Sequence, residues 1–230
     1  MKNKLTMVLG LYLAVALPLL AEKKEDDRLA NSATVMKELL QGTNGLPVSV
    51  LNQAMCVVVF PSVKKVAIGF LGGSYGRGVL VCRKGAKMDG AWGAPVMYEL
   101  DTGSLGLQLG VTETDFVLAV MHSKGVDAVL SGKMKLGADA AAAAGPTGAQ
   151  ATGYNATDMR SSDILTYSRS KGLFAGVSLE GASMSVDGDA NKKLYGKEVG
   201  ATEIVVSTQP IVSTAQGLIS VLNGTSPKRK

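Results

Sequence analysis

The 230-residue chain is 46% hydrophobic and carries 24 Lys and Arg, 19 Asp and Glu, one histidine and two cysteines. That is enough for one domain with a sizeable core or two small ones, and too little histidine and cysteine for a zinc cluster. The net charge of +5 comes from the two ends: without Lys2, Lys4 and the run Lys228-Arg229-Lys230, 19 cations face 19 anions.

Residues 1–21 read as a targeting segment. Lys2 and Lys4 form a positive start, Leu5–Leu20 is apolar, and Ala21 offers a cleavage site before Glu22-Lys23-Lys24-Glu25. The apolar run is short and broken by Pro18, which argues against a transmembrane helix. The rest of the chain is therefore expected to be exported, periplasmic or secreted, and free to sit peripherally on a membrane.

Asp26–Gln41 has the spacing of an amphipathic helix, with Leu29, Ala33, Met36 and Leu40 on one face and Gly42 as its stop. Pro47 suits the first turn of a short helix reaching about Ala54. Strand patterns follow at Cys56–Phe60, Val63–Leu71, Gly76–Arg83 and Ala94–Leu100. Leu105, Leu107, Leu109 and Val111 alternate with small or polar residues, as in a strand with one buried face. Phe116–Met121 is continuously apolar, and Ser123 caps a helix to Leu130. After the Ala- and Gly-rich Gly137–Gly148, strand patterns resume at Ile164–Ser168, Leu173–Leu179 and Ser183–Val186. A short helix after Asp189, another from Ile211 to Leu222 and a disordered basic tail from Pro227 complete the reading. Strand neighbours separated by glycine-rich turns favour antiparallel pairing. The expected architecture is a single α+β domain over residues 22–226: a largely antiparallel, glycine-rich sheet or partial barrel with several flanking helices. Cys56 and Cys82 either form a disulfide, which export permits, or pack as two separate thiols.

Two motifs fail on context. Gly72-Gly73-Ser74-Tyr75-Gly76, followed by Asp115 and His122, matches a nucleophile elbow and the chain order of a hydrolase triad. Strand-like sequence on both sides of Ser74 contradicts the strand–turn–helix that the elbow needs. Asp187, Asp189, Asn191 and Glu198 have EF-hand spacing, but Lys192 stands where the loop requires glycine. No phosphate loop is spelled out, and the basic residues lack the interleaved aromatics of a nucleic-acid platform. Neither a metal, another cofactor nor a nucleic acid is implied.

The distribution of charge is more informative than its sum. From Leu39 to Met88 there is no acidic residue, while Lys64, Lys65, Arg77, Arg83, Lys84 and Lys87 all fall within this window. One sign of charge over that length points to an anionic partner. Lys64 shares a strand face with Val66, and Arg77 and Arg83 share one with Val79 and Val81, so apolar side chains stand beside cations. Such a face suits an anionic lipid surface, or is simply a core face whose ends reach water.

The order of these pieces resembles the SYLF domain family. The resemblance rests on Pro61-Ser-Val-Lys-Lys65, Gly72-Gly-Ser-Tyr-Gly-Arg-Gly-Val79, Ala91-Trp-Gly-Ala-Pro95 and Gly103-Ser-Leu-Gly-Leu-Gln-Leu-Gly110. It continues through Leu136-Gly-Ala-Asp-Ala140, Tyr167-Ser-Arg-Ser-Lys-Gly-Leu-Phe-Ala-Gly176 and Tyr195-Gly196. The resemblance implies a non-enzymatic phospholipid-binding domain, with phosphoinositides preferred by eukaryotic members and a link to actin in fungal ones. It places Lys64, Lys65 and Arg77 on the family's basic positions, and Leu29, Ala33, Met36 and Leu40 on a membrane-contacting helix. An exported chain would meet neither actin nor phosphoinositides. The expected partner is therefore an anionic phospholipid or membrane surface, contacted by these residues with Arg83 and Lys84. An envelope protein using the same basic face is the alternative.

Overall fold

The computed structural model describes residues 24–68, 71–105, 110–147, 162–170, 173–176, 179–207 and 209–229. The expected targeting segment 1–21, and parts of the expected strands at Leu105–Val111 and Leu173–Leu179, lie outside them. Among the described residues are six α-helices, α1 (24–41), α2 (Val48–Gln53), α3 (Ser123–Leu130), α4 (Gly188–Tyr195), α5 (Ala201–Val206) and α6 (Gln216–Thr225), with a 3₁₀ turn at Ser213–Ala215 leading into the last. Nine strands form one sheet: β1 (Cys56–Ile68), β2 (Leu71–Arg83), β3 (Trp92–Leu105), β4 (Gly110–Val120), β5 (Lys133–Lys135), β6 (Ala142–Ala144), β7 (Ile164–Ser170), β8 (Leu173–Gly176) and β9 (Ser183–Val186). The order β5-β9-β3-β2-β1-β4-β7-β6, with β8 on β7, is antiparallel apart from β6 beside β7, and the sheet curls into a half-barrel. The central order β3-β2-β1-β4 is a Greek key.

Both faces of the sheet are covered, which explains the continuous apolar runs. Val57 and Val59 of β1 and Val79 and Val81 of β2 face a core built with Leu29, Met36 and Leu39 of α1, Leu51 of α2, and Leu218 and Leu222 of α6. Val58, Phe60, Leu80, Tyr98 and Leu118 face a second core closed by Val126 and Val129 of α3 and Ile204 of α5. Cys56 and Cys82 stand opposite one another in the β1–β2 register and are disulfide-bonded. The loop they close corresponds to about 3 kcal/mol in the chain-entropy account.

The strands are longer than the local pattern suggested. β1 runs through Pro61-Ser62, where a one-residue shift separates Val59↔Val79 from Lys64↔Tyr75. Ser62 takes a positive φ of 52° there and donates its backbone N–H to the Asp115 carboxylate at 2.8 Å. The glycines opposite this bulge allow it. A Cβ on Gly78 would stand 2.3 Å from the Val59 carbonyl oxygen, and one on Gly76 would stand 2.5 Å from Val63 Cγ2. Gly72 and Gly73 lie inside β2, paired with Ala67 and Val66, rather than in a turn. Leu105 ends β3 and Val111 belongs to β4, so the two ends of the expected alternating strand fall in different strands.

Arg83 departs from its expected place on a lipid-facing surface, because it is 1% exposed. Its guanidinium donates to the carbonyls of Leu51, Ala54, Gly90 and Ser226 and to Ser226 Oγ, and lies 4.1 Å from the Trp92 ring centroid. Burial, with a smaller contribution from the nearby Arg229 charge, pushes its pKa down to about 10, which leaves it charged at neutral pH. One cation thus ties together α2, the β2–β3 connection and the end of α6. Residues 227–229 do not trail away as expected: Arg229 N donates to Asp89 O at 3.1 Å.

Two predictions follow from these contacts. Gly78→Ala will destabilise by roughly 1–3 kcal/mol through overpacking, whereas Gly73→Ala, whose Cβ meets only Thr102 O at 3.5 Å, will stay close to neutral; urea midpoints measure both. Arg83→Met strands four carbonyls and will cost about 3 kcal/mol or more in the same titration.

Candidate functional site

Where β1–β4 run past the helices, the sheet leaves both cores. Among the described side chains, neither core draws on residues 64–78 or 101–114. This four-stranded extension carries Lys64, Lys65 and Arg77. The bulge sets its faces: beyond it, Lys64 and Val66 lie on the side of α1, as do Tyr75 and Arg77 of β2. Val66 is 48% exposed and Tyr75 43%.

Register also decides the electrostatics. Lys64 pairs with Tyr75 on one side and Glu113 on the other, while Tyr75 pairs with Asp101 and Arg77 with Glu99. The acid-free sequence window is therefore flanked by acidic strands. Lys64 Nζ lies 3.6 Å from Glu113, with both side chains exposed. Such a pair is worth at most about 1 kcal/mol. Arg77 is held more firmly. Its Nε donates to Tyr75 Oη at 2.7 Å and lies 3.3 Å from Glu99, and Tyr75 Oη donates to Glu99 at 2.8 Å. Partial burial raises the Tyr75 pKa, the Arg77 hydrogen bond opposes that rise, and Glu99 adds to it.

A groove of about 420 Å³ runs between this extension and the start of α1, lined by Lys24, Asp27, Arg28, Lys64, Tyr75 and Arg77 among others. Arg28 belongs to a buried cluster rather than to the groove's free charge. It donates twice to Asp187 Oδ2 at 3.0 Å and lies 2.9 Å from Glu25. At the other end of α1, Glu38 pairs with Arg169, which also binds Asp115 at 2.6 Å. Burial raises the Asp115 pKa, against the pull of the Ser62 N–H. Ion pairs at both ends therefore clamp α1 to the sheet. Its apolar stripe is turned inward: Leu29 and Met36 are fully buried, and Ala33 and Leu40 pack beside them.

The expected basic face is thus divided. Lys64 and Arg77 come together on the α1 side of the extension, and Lys65 faces the opposite side of the sheet. Arg83 is interior, and the exposed Lys84 begins the β2–β3 connection at the other end of β2. Sequence reading missed Tyr75, Glu99, Glu113 and Asp187, whose roles depend on register. Ser74 lies within β2, Asp115 is engaged by Ser62 and Arg169, and His122 stands at the far end of β4, so the triad is not assembled. Asp187, rather than Asp189, caps α4 by accepting from Ala190 N, and Glu198 pairs with Lys192. Among the described residues no group of three or more His, Cys, Asp or Glu could hold a metal ion.

Comparison with known proteins supplies a lineage. Residues 101–225 match the family described as "Ysc84: Las17-binding protein actin regulator". The chain is 32% identical over 219 residues to the SH3 domain-containing protein PJ696.02 of Schizosaccharomyces pombe, covering 94% of this chain and 49% of the relative. It is 30% identical to the human SH3 domain-containing YSC84-like protein 1, covering 86% and 58%, and 30% identical to Protein YSC84 of Saccharomyces cerevisiae, covering 93% and 45%. The chain therefore spans about half the length of the curated relatives it matches. No solved structure matches it significantly. The family consists of generally non-catalytic binding domains associated with actin regulation and lipid binding. By the match over residues 101–225 and the similarity along nearly its whole length, the chain belongs to the Ysc84, or SYLF domain, family.

Proposed function

We propose that this chain is a non-enzymatic, exported domain that binds anionic phospholipid surfaces through the extension of β1–β4. The observation that carries this reading is the exposure of Val66 and Tyr75 on the same face as Lys64 and Arg77, with Lys64 directly opposite Tyr75, on strands that have left both cores. An aromatic ring with a polar tip suits the headgroup boundary, and each cation near an anionic leaflet gains about 1 kcal/mol. That gain matches the worth of the exposed Lys64–Glu113 pair, so exchanging Glu113 for lipid phosphate costs little. Contact through α1 would first require opening two ion-pair clusters and exposing Leu29 and Met36, which favours the extension. The start of the sequence supports export, since Lys2, Lys4 and the apolar Leu5–Leu20 have the pattern of a cleaved leader. Among the described residues no helix is long and apolar enough to cross a membrane, and the proposed contact is peripheral. The actin-related family description favours a second reading, in which the same face binds an acidic envelope protein.

Co-sedimentation with phosphatidylglycerol-containing vesicles, compared with neutral phosphatidylcholine, tests the proposal. Lys64→Glu/Lys65→Glu/Arg77→Glu should weaken binding to the anionic vesicles at least about thirtyfold, from losses of about 1 kcal/mol at each of Lys64 and Arg77 on the contacting face. Val66→Ser/Tyr75→Ser should weaken it by roughly tenfold. Equal binding to both vesicle types, or indifference to both variants, would sink the lipid reading. Retention of a protein from delipidated envelope extract, lost in the triple variant, would establish the second.

A further inference from the structure

We infer that the domain carries a second anionic-membrane contact at the opposite end of β2, and that it therefore bridges two membrane surfaces. The bridging rests on the proposal that the β1–β4 extension binds one of them.

The second surface is built from two distant parts of the chain. Lys84 and Lys87 are exposed on the β2–β3 connection. Residues 227–229 lie against that connection: Arg229 N donates to Asp89 O at 3.1 Å, and its Nη2 donates to Lys87 O at 3.2 Å. This docking adds the exposed Lys228 and the half-buried Arg229 to the two lysines. Beneath them lies the full charge of Arg83, whose partners are carbonyls and a hydroxyl rather than carboxylates.

The electrostatic balance here is the reverse of that on the extension. There, Lys64 has Glu113 and Arg77 has Glu99, and Arg28 of the adjoining α1 is held by Glu25 and Asp187. At this pole, Asp89 and Asp127 are the nearby carboxylates, and among the described residues none of Arg83, Lys84, Lys87, Lys228 or Arg229 is in an ion pair. A groove of about 380 Å³ adjoins the cations, with Met55, Met88 and Val126 in its lining and Lys87 and Arg229 beside them. Apolar side chains bordered by uncompensated cations fit an anionic lipid interface.

The two contacts are independent. Arg77 of β2 and Lys84, just past its end, stand seven residues apart, or about 23 Å at roughly 3.3 Å per residue, against a Debye length of about 8 Å. β2 is central in the sheet and helices cover both faces, so its ends are opposite poles and a flat bilayer reaches one at a time.

The test measures co-sedimentation and vesicle clustering (turbidity and light scattering) on phosphatidylcholine vesicles containing phosphatidylglycerol, using the purified protein. Wild type should do both. Lys84→Glu/Lys87→Glu/Lys228→Glu changes exposed side chains only; it should still sediment with vesicles, while clustering falls at least tenfold. Raising salt should abolish clustering before it abolishes sedimentation, because the unpaired pole depends more on charge. Clustering by this variant at the wild-type level would overturn the inference, including where the protein self-associates in vesicle-free sedimentation velocity. Binding without clustering by wild type would overturn it too, and would leave the first contact intact. If the extension variants bind and cluster as wild type does, the first contact is wrong and bridging falls with it. The same follows if wild type does not bind at all.

Discussion

The architecture depends on the one-residue shift in β1 at Pro61-Ser62. Before it, Val57 and Val59 point into the core beneath α1; beyond it, Lys64 and Val66 take that side. An unshifted strand would send Lys65 there instead and turn Lys64 away, because side chains alternate with a period of two. Three conditions hold the shift in place. Ser62 adopts a positive φ, Asp115 accepts its N–H, and Gly76 and Gly78 offer no Cβ to the residues displaced toward them. Asp115 is itself gripped by Arg169, which reaches Glu38 on α1. The same small group of residues therefore fixes the strand's face and the position of the helix lying over it.

Much of the fold was legible because its elements are driven by local pattern. The spacing of Leu29, Ala33, Met36 and Leu40 identified α1, and the continuous apolar run Phe116–Met121 is explained by its passage between the two cores. Cys56 and Cys82, left open between bridge and separate thiols, are opposed by the register that pairs Val57 with Val81. The elements that escaped are short and depend on contacts. β5 and β6 have three residues each, and α5 has six, with no side-chain cap to announce it. At Gly72-Gly73 the glycines suggested a turn, but they lie within β2 where the sheet passes beyond its cores.

The candidate site was legible only in part, because charge in a sequence and charge in space are different quantities. The window from Leu39 to Met88 has no acid, yet β1 and β2 lie between β3 and β4, which bring Glu99, Asp101 and Glu113 alongside. Strand order is set by long-range pairing, and nothing within the window reports it. Lys84 and Arg83 were adjacent to the right pattern in sequence but on the wrong side of the molecule. Arg83 in particular looked like a surface cation and is a structural one, its charge dispersed over backbone carbonyls and an indole face.

That buried guanidinium also orders events in time. Leu51 and Ala54 precede it closely, but Ser226 comes 143 residues later. Until the α6 segment has been made and docked, Arg83 remains a charge without its full set of acceptors, at the edge of an apolar core that lacks Leu218 and Leu222. A nascent chain that lacks α6 therefore leaves both the Arg83 acceptor set and the core beneath α1 incomplete. The contact is complete only when both of its ends are present, so this part of the fold closes late.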